Sequence, residues 1–130
     1  MGEDKLVWLA CSLSASVWFM VGAYKITHVE KMVDVVRHHS IPFPKFSFWL
    51  SVIAELGGCL ILLCSSQMWI ACAIWLLFLV VATPIFHGHA FRAGKIDYPQ
   101  YVHIGKNISI AGGLIALMLL DKHFTRLIAG

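Results

Sequence analysis

Long runs of apolar residues without a charge constrain this chain most. The first runs from Val7 to Tyr24. As a helix rising about 1.5 Å per residue, it is long enough to cross the roughly 30 Å hydrocarbon core of a bilayer. Backbone polar groups in lipid must be satisfied within the segment, so such a run folds as a helix. Similar runs follow, and the chain predicts four membrane spans, at about 7–25, 46–66, 68–87 and 104–120.

The composition supports one membrane domain over residues 1–130. Hydrophobic residues make up 59% of the chain and charged residues only 13%, whereas soluble domains average about 45–50% apolar and about 25% charged residues. The net charge of +3 is small, and the basic residues are spread through the connections rather than clustered. The expected partner is therefore the lipid bilayer, and no nucleic-acid-binding surface is predicted.

A segment of different character, about 26–39, separates the first two spans. Ile26, Val29, Val33 and Val36 recur at helical spacing, while charged and polar residues occupy the other side. This pattern predicts an amphipathic helix at the membrane surface. The two prolines of the following S-I-P-F-P segment end it. The predicted fold class is an all-α membrane four-helix bundle with an interfacial amphipathic helix between the first and second spans.

Four spans place both termini on one side of the membrane, here called the terminal side, and the first and third connections on the other, the loop side. The loop side carries more Lys and Arg, which predicts cytoplasmic loops. The turn at 65–67 is short, so the second and third spans are antiparallel neighbours, and Pro84 is expected to kink the third span. Most of the tryptophans lie near span ends, where aromatic belts form: Trp8, Trp18, Trp49, Trp69 and Trp75.

Polar residues of all four spans converge on the loop-side half of the predicted bundle. Lys25 ends the first span, His87 ends the third, and Lys106 and Asn107 begin the fourth. Glu55 lies in the second span, at a depth of roughly 12–14 Å from the loop side at 1.5 Å per residue. This shared depth makes the five residues the candidate site.

Glu55 is the costliest of these residues to bury. A charge at the bilayer centre costs at least about 2.5–3.5 kcal/mol, so Glu55 should face the bundle interior with a partner. Lys25 or Lys106 would supply the cation and His87 a hydrogen bond, or Glu55 is held neutral. Two interpretations stay open: a pocket that binds a polar or amphipathic ligand or relays protons, and a lock that joins the helices.

Small residues in two of the spans favour close helix packing. Gly57 and Gly58 are adjacent in the second span, and Gly105, Ser109 and Gly113 recur every four residues in the fourth. Small side chains let helix backbones approach each other closely in membranes. The same strips also drive dimers, so a homo-oligomer is a further expectation. A cofactor-binding glycine loop is excluded, because no strand precedes either set.

The histidines and cysteines do not predict a metal or haem site. His87 and His89 would point about 160° apart on a continuous helix, and only His87 lies inside a span. A bis-histidine haem needs two histidines facing each other at similar depth. Cys11, Cys59, Cys64 and Cys72 contain no C-x-x-C pair, so they are predicted to be buried free thiols.

Five short motifs resemble, in order, those of the DoxX-like family of small four-helix membrane proteins. They are G-A-Y-K at 22–25, the I-P-F-P loop, E-L-G-G at 55–58, F-H at 86–87 and K-N-I-S-I-A-G-G at 106–113. The resemblance covers nearly the whole chain. The positions that it marks are Gly22, Lys25, Glu55, Gly58, His87, Lys106, Asn107 and Gly113, and it adds Gly22 to the packing residues.

The resemblance implies the fold and the location more firmly than an activity. It implies a multi-pass protein of a bacterial inner (plasma) membrane. DoxX-like proteins include subunits linked to quinone-dependent sulfur oxidation, partners of membrane redox complexes, and chaperones or cargo receptors. The leading hypothesis is a redox-associated membrane subunit, rather than a stand-alone enzyme, with a quinone-like ligand at Glu55. The alternative is a non-enzymatic assembly factor, chaperone or scaffold with a protein partner, in which the polar cluster is a structural lock.

Overall fold

The structure is a computed structural model that describes residues 3–95 and 97–130. The described residues form six helices. In chain order these are α1 (Glu3–Thr27), α2 (Val29–His38), α3 (Pro44–Cys64), α4 (Met68–Arg92), α5 (Tyr98–Leu120) and α6 (Lys122–Ile128). Four of them, α1, α3, α4 and α5, are long and apolar enough to cross a membrane. The predicted all-α four-helix membrane bundle is confirmed.

Several helix ends differ from the predicted span ends. Helix α3 stops at Cys64, because Ser65 is extended (φ −106°, ψ 149°). Helix α4 continues through Pro84 to Arg92, beyond the predicted end at 87. Helix α5 starts six residues before 104, where the Asp97 side chain accepts a hydrogen bond from Gln100 N and Pro99 occupies the first turn. An acidic N-cap followed by proline is a strong helix start.

The predicted amphipathic helix is present as α2, with a later start because α1 continues to Thr27. Its apolar stripe packs on α3: Val33 and Val36 are buried in one cluster with Phe48 and Val52. The α2–α3 connection is tight, with Ser40 and Phe43 at positive φ. The charged face of α2 is left exposed on the loop side.

The long helices pack in the order α1–α3–α4–α5, with α6 folded against α5. Trp18 of α1 and Trp75 of α4 stack in the core at a centroid distance of 5.0 Å. The aromatic-belt expectation is therefore wrong for these two tryptophans: both are buried, and Trp75 Nε1 donates to Ala54 O at 3.1 Å. This bond satisfies an indole that lipid headgroups cannot reach.

Four cysteines are free in the described structure. Cys11, Cys59 and Cys72 are buried in the main core cluster, as the sequence predicts, whereas Cys64 is exposed. It occupies the last position of α3, where the helix leaves the bundle. The thiols thus fill apolar core space at three positions and face outward at one.

The packing glycines divide by the face on which they lie. A Cβ on Gly22 would sit 2.7 Å from Leu56 Cδ2, and one on Gly58 would overlap the indole of Trp75. No described atom of a neighbouring element lies within 4 Å of the corresponding position on Gly57, Gly105 or Gly113, and Ser109 is exposed. Gly22 and Gly58 therefore pack closely against neighbouring helices, whereas no such contact is found among the described residues at the other four positions.

Candidate functional site

An ion pair between α1 and α3 forms the centre of the candidate site. Lys25 Nζ lies 2.6 Å from Glu55 Oε1 and also donates to Ser51 Oγ at 3.0 Å. Lys25 stands in the last turn of α1, and Ser51 lies one turn before Glu55 on α3, so both face α1. Of the two cations considered from the sequence, Lys25 is the one that contacts Glu55.

Close approach of the two helices makes this pair possible. Because Gly22 has no side chain, Leu56 packs against the α1 backbone, and Glu55 Cβ lies 3.6 Å from the position that a Gly22 Cβ would take. Lys25 follows Gly22 by three residues, on the same face of α1. Gly22 therefore positions Lys25 over α3.

The pair is deeply buried but unevenly satisfied. The Glu55 side chain is 2% exposed and that of Lys25 12%. Glu55 Oε2 has no hydrogen-bond partner among the described residues, although Oε1 is paired. The Lys25 ammonium also lies 5.5 Å from the centroid of the Phe78 ring, within the range of a cation–π contact. One carboxylate oxygen is thus left free beside a cation.

A second unpaired polar atom belongs to the same aromatic core. Trp18 Nε1 is buried with no partner among the described residues, and its ring meets Phe78 edge to face at 5.8 Å. Phe78 therefore touches both Trp18 and Lys25. Buried unsatisfied groups are rare, and each needs a physical explanation.

His87 belongs to a different seam, between α4 and α5. Its Nδ1 lies 2.7 Å from Gln100 Oε1, and its ring stacks on His103 at 5.4 Å with an interplanar angle of 13°. The hydrogen bond that the sequence assigns to His87 is therefore made to Gln100. Glu55 is not its partner.

The remaining two predicted site residues also lie on α5. Asn107 Nδ2 donates to Thr83 Oγ1 of α4 at 3.0 Å, so it joins the same seam as His87. Lys106 is exposed, and no ion pair to it is found among the described residues. The structure thus brings Lys25 and Glu55 together and places His87, Lys106 and Asn107 on the neighbouring helix pair.

The described residues contain no group of three or more His, Cys, Asp or Glu side chains arranged to hold a metal ion. His87 and His89 are both part of the continuous helix α4, which runs on through Gly88. The helix end between them that chelation would require is therefore not there, and the two rings lie on different faces.

Asp121 is a buried acid that the sequence reasoning missed. It is 3% exposed, and it lies on the terminal side, between α5 and α6. Its Oδ2 accepts from Trp69 N at 3.0 Å, and its Oδ1 accepts from His123 N at 2.8 Å and Phe124 N at 3.4 Å. An Asp directly after an apolar run is a helix N-cap signal, which would have found both Asp121 and α6.

Two clefts lie on the terminal side, and Glu55 lines neither. The first, the α1 cleft, has a volume of about 260 Å³ and is lined by residues of α1, α4 and the α5–α6 junction, among them Trp8, Cys11 and Asp121. The second, the α6 cleft, has a volume of about 350 Å³. Its lining residues are Gln67, Trp69, His123, Arg126 and Leu127.

Comparison with known proteins identifies the family. The family model for DoxX matches residues 9–88, a stretch that includes Lys25, Glu55 and most of the first three membrane helices. No curated protein and no solved structure matches the chain. With its four apolar helices it is a multi-pass integral membrane protein, for which the bacterial inner membrane is the typical location in this family. The matched region covers more than half of the sequence, so the chain belongs to the DoxX family.

Proposed function

We propose that the polar site around Glu55 binds a small, quinone-like amphipathic ligand and thereby supports a membrane redox process. The observation that carries this proposal is Glu55 Oε2, a buried carboxylate oxygen with no partner among the described residues. Ionisable groups inside a membrane are costly and are usually functional. A ligand hydroxyl would satisfy this oxygen, as a hydrogen-bond donor or as the source of a proton.

Lys25 is assigned to hold Glu55 charged and oriented through the 2.6 Å ion pair. Its ammonium has three hydrogens and uses two, toward Ser51 and Glu55; the third is available to a ligand carbonyl. His87, Lys106 and Asn107 do not contact Glu55. In the proposal they act nearer the loop side, where Asn107 orients the ligand's polar head.

Access to the site is expected from the loop side. Lys25 is more exposed than Glu55 and closes that route. Since the Glu55 side chain is only 2% exposed, binding requires the end of α1 to move away from α3. This movement would separate the apolar contact between Gly22 and Leu56, while the flexible Lys25 side chain stays paired with Glu55.

Glu55→Gln tests the proposal. Glutamine keeps the size of the side chain but removes the charge and the proton-accepting oxygen. Lys25, which is partly exposed, can extend toward the loop-side water, so folding is expected to survive. Binding of a short-chain benzoquinone and its hydroquinone to the purified protein in detergent should be lost, as measured by isothermal titration calorimetry.

Asp121→Asn is the matched control, because it neutralises the other buried carboxylate at the opposite end of the bundle. It should leave quinone binding unchanged. Equal binding by wild type and Glu55→Gln, together with a lower unfolding temperature of the variant, would reject the ligand site.

A second candidate function is that of an assembly factor or scaffold, and a specific observation favours it. The Glu55 side chain is 2% exposed, and its helix packs closely on α1 at Gly22, as expected of a structural lock. The charged face of α2, with Glu30, Lys31 and Asp34 exposed, would then meet a partner protein. Co-purification from native membranes separates the two: a stoichiometric protein partner supports the scaffold, and bound quinone supports the ligand site.

A further inference from the structure

Most of the residues that line the α6 cleft are hydrogen-bond donors. Of its five lining residues, Gln67, Trp69, His123 and Arg126 carry side-chain N–H donors, and Leu127 is apolar. The guanidinium is always charged, and the imidazole supplies a second donor or a second charge. A cleft of about 350 Å³ lined by donors and no carboxylate suits an anion rich in acceptor oxygens.

The donors of this cleft are not committed within the chain. Trp69 Nε1 is buried without a partner among the described residues, in contrast to the satisfied indole of Trp75. Arg126 is exposed, and the two ion pairs of the described residues do not include it. A buried indole N–H without an acceptor is unfavourable, so an acceptor from outside the described residues is expected at Trp69.

The adjacent carboxylate does not fill this role. Asp121 precedes His123 by two residues, but its oxygens accept from the backbone N–H groups of Trp69, His123 and Phe124. The Asp121 carboxylate therefore caps the first turns of α4 and α6. Of the cleft donors, Gln67, His123 and Arg126 are exposed, so an external anion can reach them, and Trp69 Nε1 lies buried beside them without a partner among the described residues.

The α6 cleft lies at the membrane surface, and this position indicates which kind of anion it would bind. Trp69 is the second residue of α4, and α6 follows the end of α5, so the cleft lies where the spans leave the membrane on the terminal side. Leu127 is 65% exposed and Ile128 61%, which gives α6 an apolar edge toward lipid beside its basic residues. Phosphate groups of lipids lie at this depth, and arginine binds phosphate through two parallel hydrogen bonds.

We infer that the α6 cleft binds a phosphate group, that of an anionic phospholipid headgroup. Arg126 holds the two non-bridging phosphate oxygens, and the indole N–H of Trp69 donates to one of them. His123 and Gln67 complete the ring of donors, and Leu127 packs against the start of an acyl chain. This site is separate from Glu55, which lies near the middle of α3 and does not line the α6 cleft.

Native mass spectrometry of the purified full chain in detergent tests the inference. Phosphatidylglycerol, phosphatidylcholine and inorganic phosphate are added as separate probes. Wild type should retain phosphatidylglycerol in preference to phosphatidylcholine, and Arg126→Gln should weaken retention about tenfold, since hydrogen bonds to charged groups are worth that much or more. Trp69→Phe, which keeps the aromatic ring but removes the N–H, should weaken it as well.

Lys122→Gln is the matched control: it removes one positive charge from the same helix, at a residue that does not line the α6 cleft. It should change retention less than twofold in comparison with the roughly tenfold loss above. Equal losses for Lys122→Gln and Arg126→Gln would mean general attraction between charges and would overturn the site. So would equal retention of both lipids by wild type.

The inorganic phosphate arm identifies the source of the phosphate group. If phosphate displaces phosphatidylglycerol from wild type at millimolar concentration, the cleft recognises the group itself, and a free anion can occupy it. If it does not, the acyl chain beside Leu127 is part of the site and the source is lipid. Unfolding temperatures of the variants show whether any loss of binding comes from loss of the fold.

Discussion

The two buried carboxylates of this protein, Glu55 and Asp121, differ in what satisfies them. They are almost equally buried, at 1% and 3% exposure. Asp121 stands between two helices and accepts three backbone hydrogen bonds, with both oxygens occupied. Glu55 stands in the middle of a span, with one oxygen paired to Lys25 and the other free. A carboxylate whose two oxygens are both hydrogen-bonded stabilises the fold. A carboxylate with one unpaired oxygen can still accept a hydrogen bond from a ligand.

The hydrogen-bond partners also determine how substitutions elsewhere in the chain affect each carboxylate. Asp121 is held by backbone N–H groups, which the loss of another side chain does not remove. Glu55 depends on one side chain, that of Lys25, whose position follows from the α1–α3 approach at Gly22. We therefore expect that removal of the partner Lys25 lowers the stability of the fold strongly. At Asp121 the corresponding experiment removes the carboxylate itself.

Lys25→Met is expected to have the largest effect. It leaves Glu55 in the membrane interior without a cation, and breaking a buried pair from one side costs about 3–5 kcal/mol. The free energy of unfolding, measured by titration with SDS in mixed micelles, should fall by that amount. Lys106→Met, which removes an exposed lysine from α5, is the control and should change little.

The double variant Lys25→Met with Glu55→Leu sharpens the same test. Replacing a whole buried ion pair by apolar residues is often neutral or stabilising, so the double variant should recover most of the lost stability. Its ligand binding should stay absent. An undiminished stability in Lys25→Met alone would contradict the view that Glu55 depends on this cation.

Asp121→Ala is expected to have an intermediate effect. Removal of an N-cap side chain costs about 1–2 kcal/mol, and the released N–H groups of Trp69, His123 and Phe124 should exchange faster with solvent. Hydrogen exchange at these three amides measures this directly. Asp97→Ala is the control: Asp97 is an exposed cap with one acceptor bond, to Gln100 N, and its loss should cost less.

The sequence predicts that Glu55 needs a partner better than it predicts which residue that partner is. The cost of a charge in lipid is a property of the residue, so a partner for Glu55 was expected before its position was known. The choice between Lys25 and Lys106 depends on how each helix is rotated about its own axis. One-dimensional periodicity does not determine that rotation in spans that are apolar on all sides.

The same limit explains why the packing role of each glycine was not predicted. Gly57 and Gly58 differ by about 100° around α3, and only Gly58 meets Trp75; adjacent letters do not reveal which of the two faces a neighbour. Asp121 was missed for a different reason. A polar residue after the last span resembles the start of a solvated tail, and its burial depends on α6 folding back to the start of α4.

Asn107→Ala is expected to have the smallest effect on stability. It compares a neutral hydrogen bond between helices with the charged Lys25–Glu55 pair. Asn107 and Thr83 form a neutral hydrogen bond between α5 and α4, and such bonds in membranes average about 0.6 kcal/mol, with a maximum near 1.7. A double-mutant cycle with Thr83→Val in the same SDS titration gives the coupling energy.

A coupling as large as that of the Lys25–Glu55 pair would mean that burial, rather than charge, makes Glu55 exceptional. A small coupling combined with weaker quinone binding in Asn107→Ala would instead place this amide in the ligand site, because a residue that only joins two helices affects stability before it affects binding.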